Sequence, residues 1–169
     1  MPSDNDLIGI AQIAGTFAGF AALAGIVGRR PRGSSRYDVE RLRTVILASI
    51  TVVVTALIPI VVEAYGVNEA IVWRASSGLA LAINWAVLAA VIAFGQSSGL
   101  HGVDRVYTWS GYSIEVPLEL ALIANVFGIL AAHAAGLYLT FLYLALMQAV
   151  IAFVQLINSL FAFTDDDPS

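Results

Sequence analysis

The sequence predicts an all-α integral membrane protein: a bundle of about five transmembrane helices with a short β-prone interfacial loop. Three observations carry this reading. Hydrophobic residues make up 59% of the 169 positions and charged residues only 12%, against about 25% charged in a soluble globular domain. Mean hydropathy is +0.85. Apolar stretches of about 20 residues, the length that crosses a bilayer core, recur along the chain. The length suits a single transmembrane domain over residues 1–169 and leaves no room for a separate soluble catalytic module.

The first stretch, Leu7 to Val27, follows the acidic start Met1-Pro2-Ser3-Asp4-Asn5-Asp6. A signal peptide carries a positive region before its apolar core, so this stretch reads as a retained helix. Val45 to Ala64 is the second span, with Pro59 near its end. A proline there is tolerated in lipid if a neighbour satisfies the carbonyl it frees. Ala75 to Phe94 is the third, stopped by Gly95. Val116 to Phe163 is too long for one span: its 48 residues would reach about 72 Å at 1.5 Å each. The polar, Gly-bearing His133-Ala134-Ala135-Gly136 is the expected turn, dividing it into Val116–Ala132 and Leu137–Phe163. A four-span arrangement, with one of these two not crossing, is the alternative.

Between the third and fourth spans, Arg105 to Val116 reads as two short β-prone runs around Ser110-Gly111. Tyr107, Trp109 and Tyr112 suit the headgroup layer, where amphipathic rings settle. Orientation follows from the arginines. Arg29, Arg30, Arg32, Arg36, Arg41 and Arg43 crowd the first loop, which should be cytoplasmic. Five spans then place the N-terminus outside and the Asp165-Asp166-Asp167 tail inside. The Arg-only, Ala-rich usage fits a GC-rich bacterial genome, hence a bacterial inner membrane.

Composition also removes function classes. There is no cysteine and no lysine, so no disulfide framework, thiolate metal site, Schiff base or lysine nucleophile is available. A net charge of −4 argues against nucleic acid as a partner. His133, expected at the outer surface, and His101, in the long loop, fall on opposite sides of the membrane and cannot share one haem. No H-E-x-x-H, zinc cluster or phosphate loop occurs. The expectation is a non-enzyme with neither cofactor nor metal.

The candidate functional residues lie inside the spans. In the first, Ala11, Gly15 and Gly19 recur every four positions, with Gln12 and Thr16 beside them. Small residues let helix backbones approach closely, so this stripe is expected to pack helices together. In the last span, Thr140 and Asn158 fall at one angle at about 100° per residue, with Gln148, Gln155 and Ser159 within an arc of about 100°. Polar side chains in lipid face a bundle interior or a water-filled path. Asn84 and Ser77 share a face of the third span, and Asn125 and Gly128 lie on the fourth; these could join the stripe in one seam. Glu115 and Glu119 sit at the start of the fourth span, where the helix dipole favours anions. Repeated around a ring of chains they become carboxylate rings that select cations. Glu63 and Arg74 are expected to form an interfacial ion pair. The functional expectation is a homo-oligomeric ion channel or small-solute permeation protein in the lipid bilayer. The alternative is a non-catalytic membrane subunit or scaffold packing against a partner membrane protein.

Overall fold

A computed structural model of the chain describes residues 4–27, 36–97, 105–129 and 131–162. Side chains at 27, 36–41, 91–92, 94–97, 105–115 and 159–162 lie outside that description. Five long helices follow one another: α1 Asp4–Val27, α2 Arg36–Glu63, α3 Glu69–Ser97, α4 Arg105–Val126 and α5 Ala134–Ala162. A short 3-10 turn, Ala131–His133, leads into α5. No strand occurs among the described residues. The β-prone reading of 105–116 is therefore corrected: this segment is the first half of α4. The correction has a physical basis, because a helix satisfies every backbone group internally and an isolated pair of short strands in lipid would not.

The helix ends are set by local chemistry. α2 closes on Gly66, whose φ of 70° is open to glycine, and whose N–H donates to the Glu63 carbonyl at 2.8 Å. Asn68 then caps α3: its Oδ1 accepts the Ile71 N–H at 2.9 Å. α4 ends in a Schellman motif, with Gly128 at φ 67°. The Ile129 N–H reaches the Ala124 carbonyl and the Gly128 N–H the Asn125 carbonyl, each at 3.0 Å. The break expected at His133–Gly136 thus lies earlier. Gly128 holds the left-handed position, while Gly136 sits inside α5.

Cross-contacts fix the packing as antiparallel between neighbours. Gly25 lies against Leu42 and Gly15 near Val53, pairing α1 with α2. Ser77 meets Asn125 and Trp85 meets Glu119, pairing α3 with α4. α5 touches all four other helices. Its Phe153 ring stands edge-on to Phe17 of α1, centroids 5.5 Å apart. One end of the bundle carries the α2–α3 turn; the other carries the arginines that open α2. The main core runs through Leu7, Ile10, Ala14, Val52, Trp73, Leu122, Tyr138 and Leu142, and a smaller cluster of Ala21, Val45, Ala152 and Leu156 closes the arginine end.

The bundle is turned out toward lipid. Ile13, Phe20, Leu23, Ile50, Leu79, Leu120 and Met147 are exposed, as expected where the surrounding solvent is apolar. Among the described residues four helical stretches are long and apolar enough to cross a membrane: Asp4–Ile26, Leu42–Glu63, Glu69–Ala90 and Ala131–Asn158. α4 is 22 residues long, about 33 Å, but its described apolar part is the shorter Val116–Val126. The chain is a multi-pass, all-α membrane bundle.

Candidate functional site

Two polar regions occupy this apolar frame. The first is buried, toward the turn end, where α2, α3, α4 and α5 converge. Pro59 has no N–H, so the Thr55 carbonyl four residues earlier loses its helical partner. Tyr138 of α5 supplies the replacement: its hydroxyl donates to the Thr55 carbonyl at 2.6 Å. The tyrosine is fully buried, held between the rings of Trp73 at 5.7 Å and Phe141 at 5.9 Å. Thr55 and Thr51 return their own hydroxyls to carbonyls one turn back, at 2.7 Å and 2.8 Å.

Beside this lies a junction of three helices. The Asn125 amide donates to Ser77 Oγ at 2.9 Å and to the Ala134 carbonyl at 2.8 Å. It ties α4 to α3 and to the first residue of α5. Ser77 and Asn125, which the sequence offered as members of a seam with the α5 stripe, meet each other here. Asn125 Oδ1, Ser76 Oγ and Ser49 Oγ are buried with no hydrogen bond among the described residues. The two serines lie among tightly packed helices, where their small size permits close approach.

The second region is the α5 stripe. Thr140 and Asn158 are exposed, and Gln148 and Gln155 are half-buried. Thr140 bonds back to the Gly136 carbonyl at 2.9 Å. The Gln148, Gln155 and Asn158 side chains make no hydrogen bond among the described residues. On the α5 cylinder the two glutamines lie about 140–160° around from Phe153. They therefore face away from α1. The stripe does not enter the protomer core, and Tyr138, Phe141, Ala149 and Leu156 occupy the buried face instead. The side chains of Ser159 and Glu115 lie outside the described residues.

The single polar seam is not assembled among the described residues. Asn125 lies opposite Ala134. From that level Asn84 is about 10 Å and Glu119 about 9 Å toward the arginine end, whereas Gln148 is about 21 Å. Glu119 turns to α3, where its Oε1 accepts from Trp85 Nε1 at 3.0 Å. The expected Glu63–Arg74 pair is not formed among the described residues. Both side chains are exposed, and the Arg74 guanidinium lies against Gly128 at the end of α4. A cation there meets the negative end of the α4 dipole, which offers it more than a second exposed charge would.

The α1 stripe divides between two surroundings. Ala11 packs in the core, but Gly15 and Gly19 are exposed; a Cβ on Gly19 would meet nothing within 4 Å. The close approach to α2 centres on the neighbouring face of Ala14, Ala21 and Gly25, and a Cβ on Gly25 would overlap Leu42. Gly15 and Gly19 are joined on the outward face by the exposed side chains of Gln12 and Thr16.

At the turn end an open recess of about 280 Å³ is lined by Glu69, Ala70, Trp73 and the alanines at 131, 132, 134 and 135. Glu69 is oriented there by Trp73, whose Nε1 donates to it at 3.3 Å. No cluster of three or more metal-binding side chains occurs among the described residues. No protein-family model, no curated protein and no solved structure matches the chain.

Proposed function

We propose that the protein works as a homo-oligomer that passes an ion or small solute along a polar path between chains, lined by α5. One observation carries the reading. Gln148, Gln155 and Asn158 lie outside the protomer core without hydrogen-bond partners among the described residues. Uncompensated amides in hydrocarbon are costly, and on this reading water or a second chain meets these side chains. From Thr140 to Asn158 the stripe runs about 27 Å, close to the thickness of a bilayer core. Amide donors and acceptors at that spacing can replace parts of a solute's hydration shell in succession. On this reading the arginine end faces the cytoplasm, and Glu115 on α4 stands partway along the path, about 15 Å from the level of Asn125.

The test is flux into liposomes reconstituted with purified wild-type chain, compared with Gln148→Leu and Gln155→Leu. Wild type should carry ions or a small neutral solute above empty vesicles, and each variant should carry less at an unchanged melting temperature. Absence of flux for all solutes, with unfolding of both variants, would turn the stripe into packing surface. A second reading, a non-catalytic subunit that packs against a partner membrane protein, is favoured by the outward Gln12, Gly15, Thr16 and Gly19 face of α1.

A further inference from the structure

Glu119 and Trp85 form a pair that the α5 path does not use. Trp85 lies eleven residues along α3 from the exposed Arg74, about 16 Å, which is half the depth of a bilayer core of about 30 Å. The Glu119 carboxylate at that depth is half-buried, and Trp85 is its one hydrogen-bond partner among the described residues. The indole is 53% exposed, and Val116 and Leu120 on α4 are exposed on either side of Glu119 in sequence. The pair therefore opens sideways toward the lipid rather than into the bundle.

A carboxylate in the membrane interior ordinarily faces a partner of opposite charge. Among the described residues none lies within reach. The chain contains no lysine. The Arg74 guanidinium, beside Gly128, is about 14 Å from Glu119 along the bundle axis, and the backbone of Arg105 about 21 Å. Arg43 stands at the arginine end and His133 at the turn end. No described residue supplies that charge, and the exposed side of the pair admits one from outside the chain through an apolar environment.

We infer that Glu119 and Trp85 form a binding site for a lipophilic cation, a hydrophobic amine or quaternary onium ion that enters from the bilayer. Each part of such a ligand has its counterpart. The carboxylate, held by the indole N–H, supplies the negative charge. The exposed indole face attracts a cation over its ring and receives apolar groups. The exposed Val116 and Leu120 extend the apolar surface. An inorganic cation would bring its hydration shell into hydrocarbon, whereas an onium ion carries its own apolar coat.

The probe is radiolabelled tetraphenylphosphonium, measured by equilibrium dialysis against the full chain in lipid nanodiscs, with uptake by empty nanodiscs subtracted. Wild type should bind it saturably at one site per chain. Glu119→Gln keeps the shape and an acceptor for the indole but removes the charge; it should weaken binding at least tenfold at an unchanged melting temperature. Trp85→Phe keeps an aromatic face and should weaken it several-fold. Glu69→Gln, the carboxylate beside Trp73 at the turn end, should bind as wild type does. The uncharged triphenylphosphine oxide should not compete. Absence of saturable binding to wild type would overturn the assignment. So would Glu119→Gln binding as tightly as wild type, or equal competition by the uncharged analogue.

Discussion

Removing the Tyr138 hydroxyl should expose a defect that Pro59 creates. In Tyr138→Phe the Thr55 carbonyl is left without the donor it receives at 2.6 Å. It cannot recover one from its own helix, because position 59 has no N–H. It cannot turn to water either, since Thr55 and Pro59 are both fully buried. Side-chain hydrogen bonds in membrane proteins average about 0.6 kcal/mol and reach about 1.7, while a buried group left unsatisfied costs about 1–3 kcal/mol. With no alternative partner the second figure governs, and Tyr138→Phe should cost about 1.5–2 kcal/mol. Pro59→Ala restores the amide, so on that background the same change should cost only about 0.5 kcal/mol. The coupling, about 1–1.5 kcal/mol, is roughly a tenfold change in the folding equilibrium. The assay is a double-mutant cycle by reversible SDS unfolding in mixed micelles, followed by near-ultraviolet circular dichroism. Equal costs on both backgrounds, or a neutral Tyr138→Phe, would refute the argument that the tyrosine replaces the bond the proline removes.

Two further outcomes follow from the packing and the charge pattern. Gly25→Leu should lose about 1–3 kcal/mol by forcing Leu42 and α2 outward, whereas Gly19→Leu should leave the isolated chain within about 0.5 kcal/mol of wild type; the same unfolding assay ranks them. Single cysteines at Ser3, Ser34 and Ser169 should react with an impermeant thiol reagent in intact cells at position 3 alone; labelling at 34 would reverse the orientation, and labelling at 169 would make the span count even.

The helices were legible because a bilayer demands long apolar runs, and those runs are unbroken in α1, α2, α3 and α5. The internal boundaries were less so. Gly128 ends α4 between Phe127 and Ile129, two apolar neighbours that mask it, whereas His133 and Gly136 advertised a turn one helical turn too late. Arg105–Val116 is rich in aromatic and β-branched residues, yet backbone satisfaction in a membrane outweighs that propensity. The glycine spacing of α1 indicated close packing but not which face would use it, since the alanines at 14 and 21 serve equally well. The freed carbonyl of Thr55 was foreseeable from Pro59. Its partner Tyr138, 83 positions away along the chain, was not, because sequence spacing says nothing about contacts between distant helices. The same limit hid the Trp85–Glu119 pair.

The central claim, that the polar flank of α5 is completed by another copy of the chain, is tested most directly by cross-linking. The chain has no cysteine, so one introduced thiol reports alone. Gln148→Cys and Gln155→Cys, oxidised in native membranes, should each give a disulfide-linked dimer, while Ala149→Cys, buried in the protomer core, should not. Monomers at both glutamine positions under conditions that link a lipid-facing control such as Phe20→Cys equally well or better would contradict it.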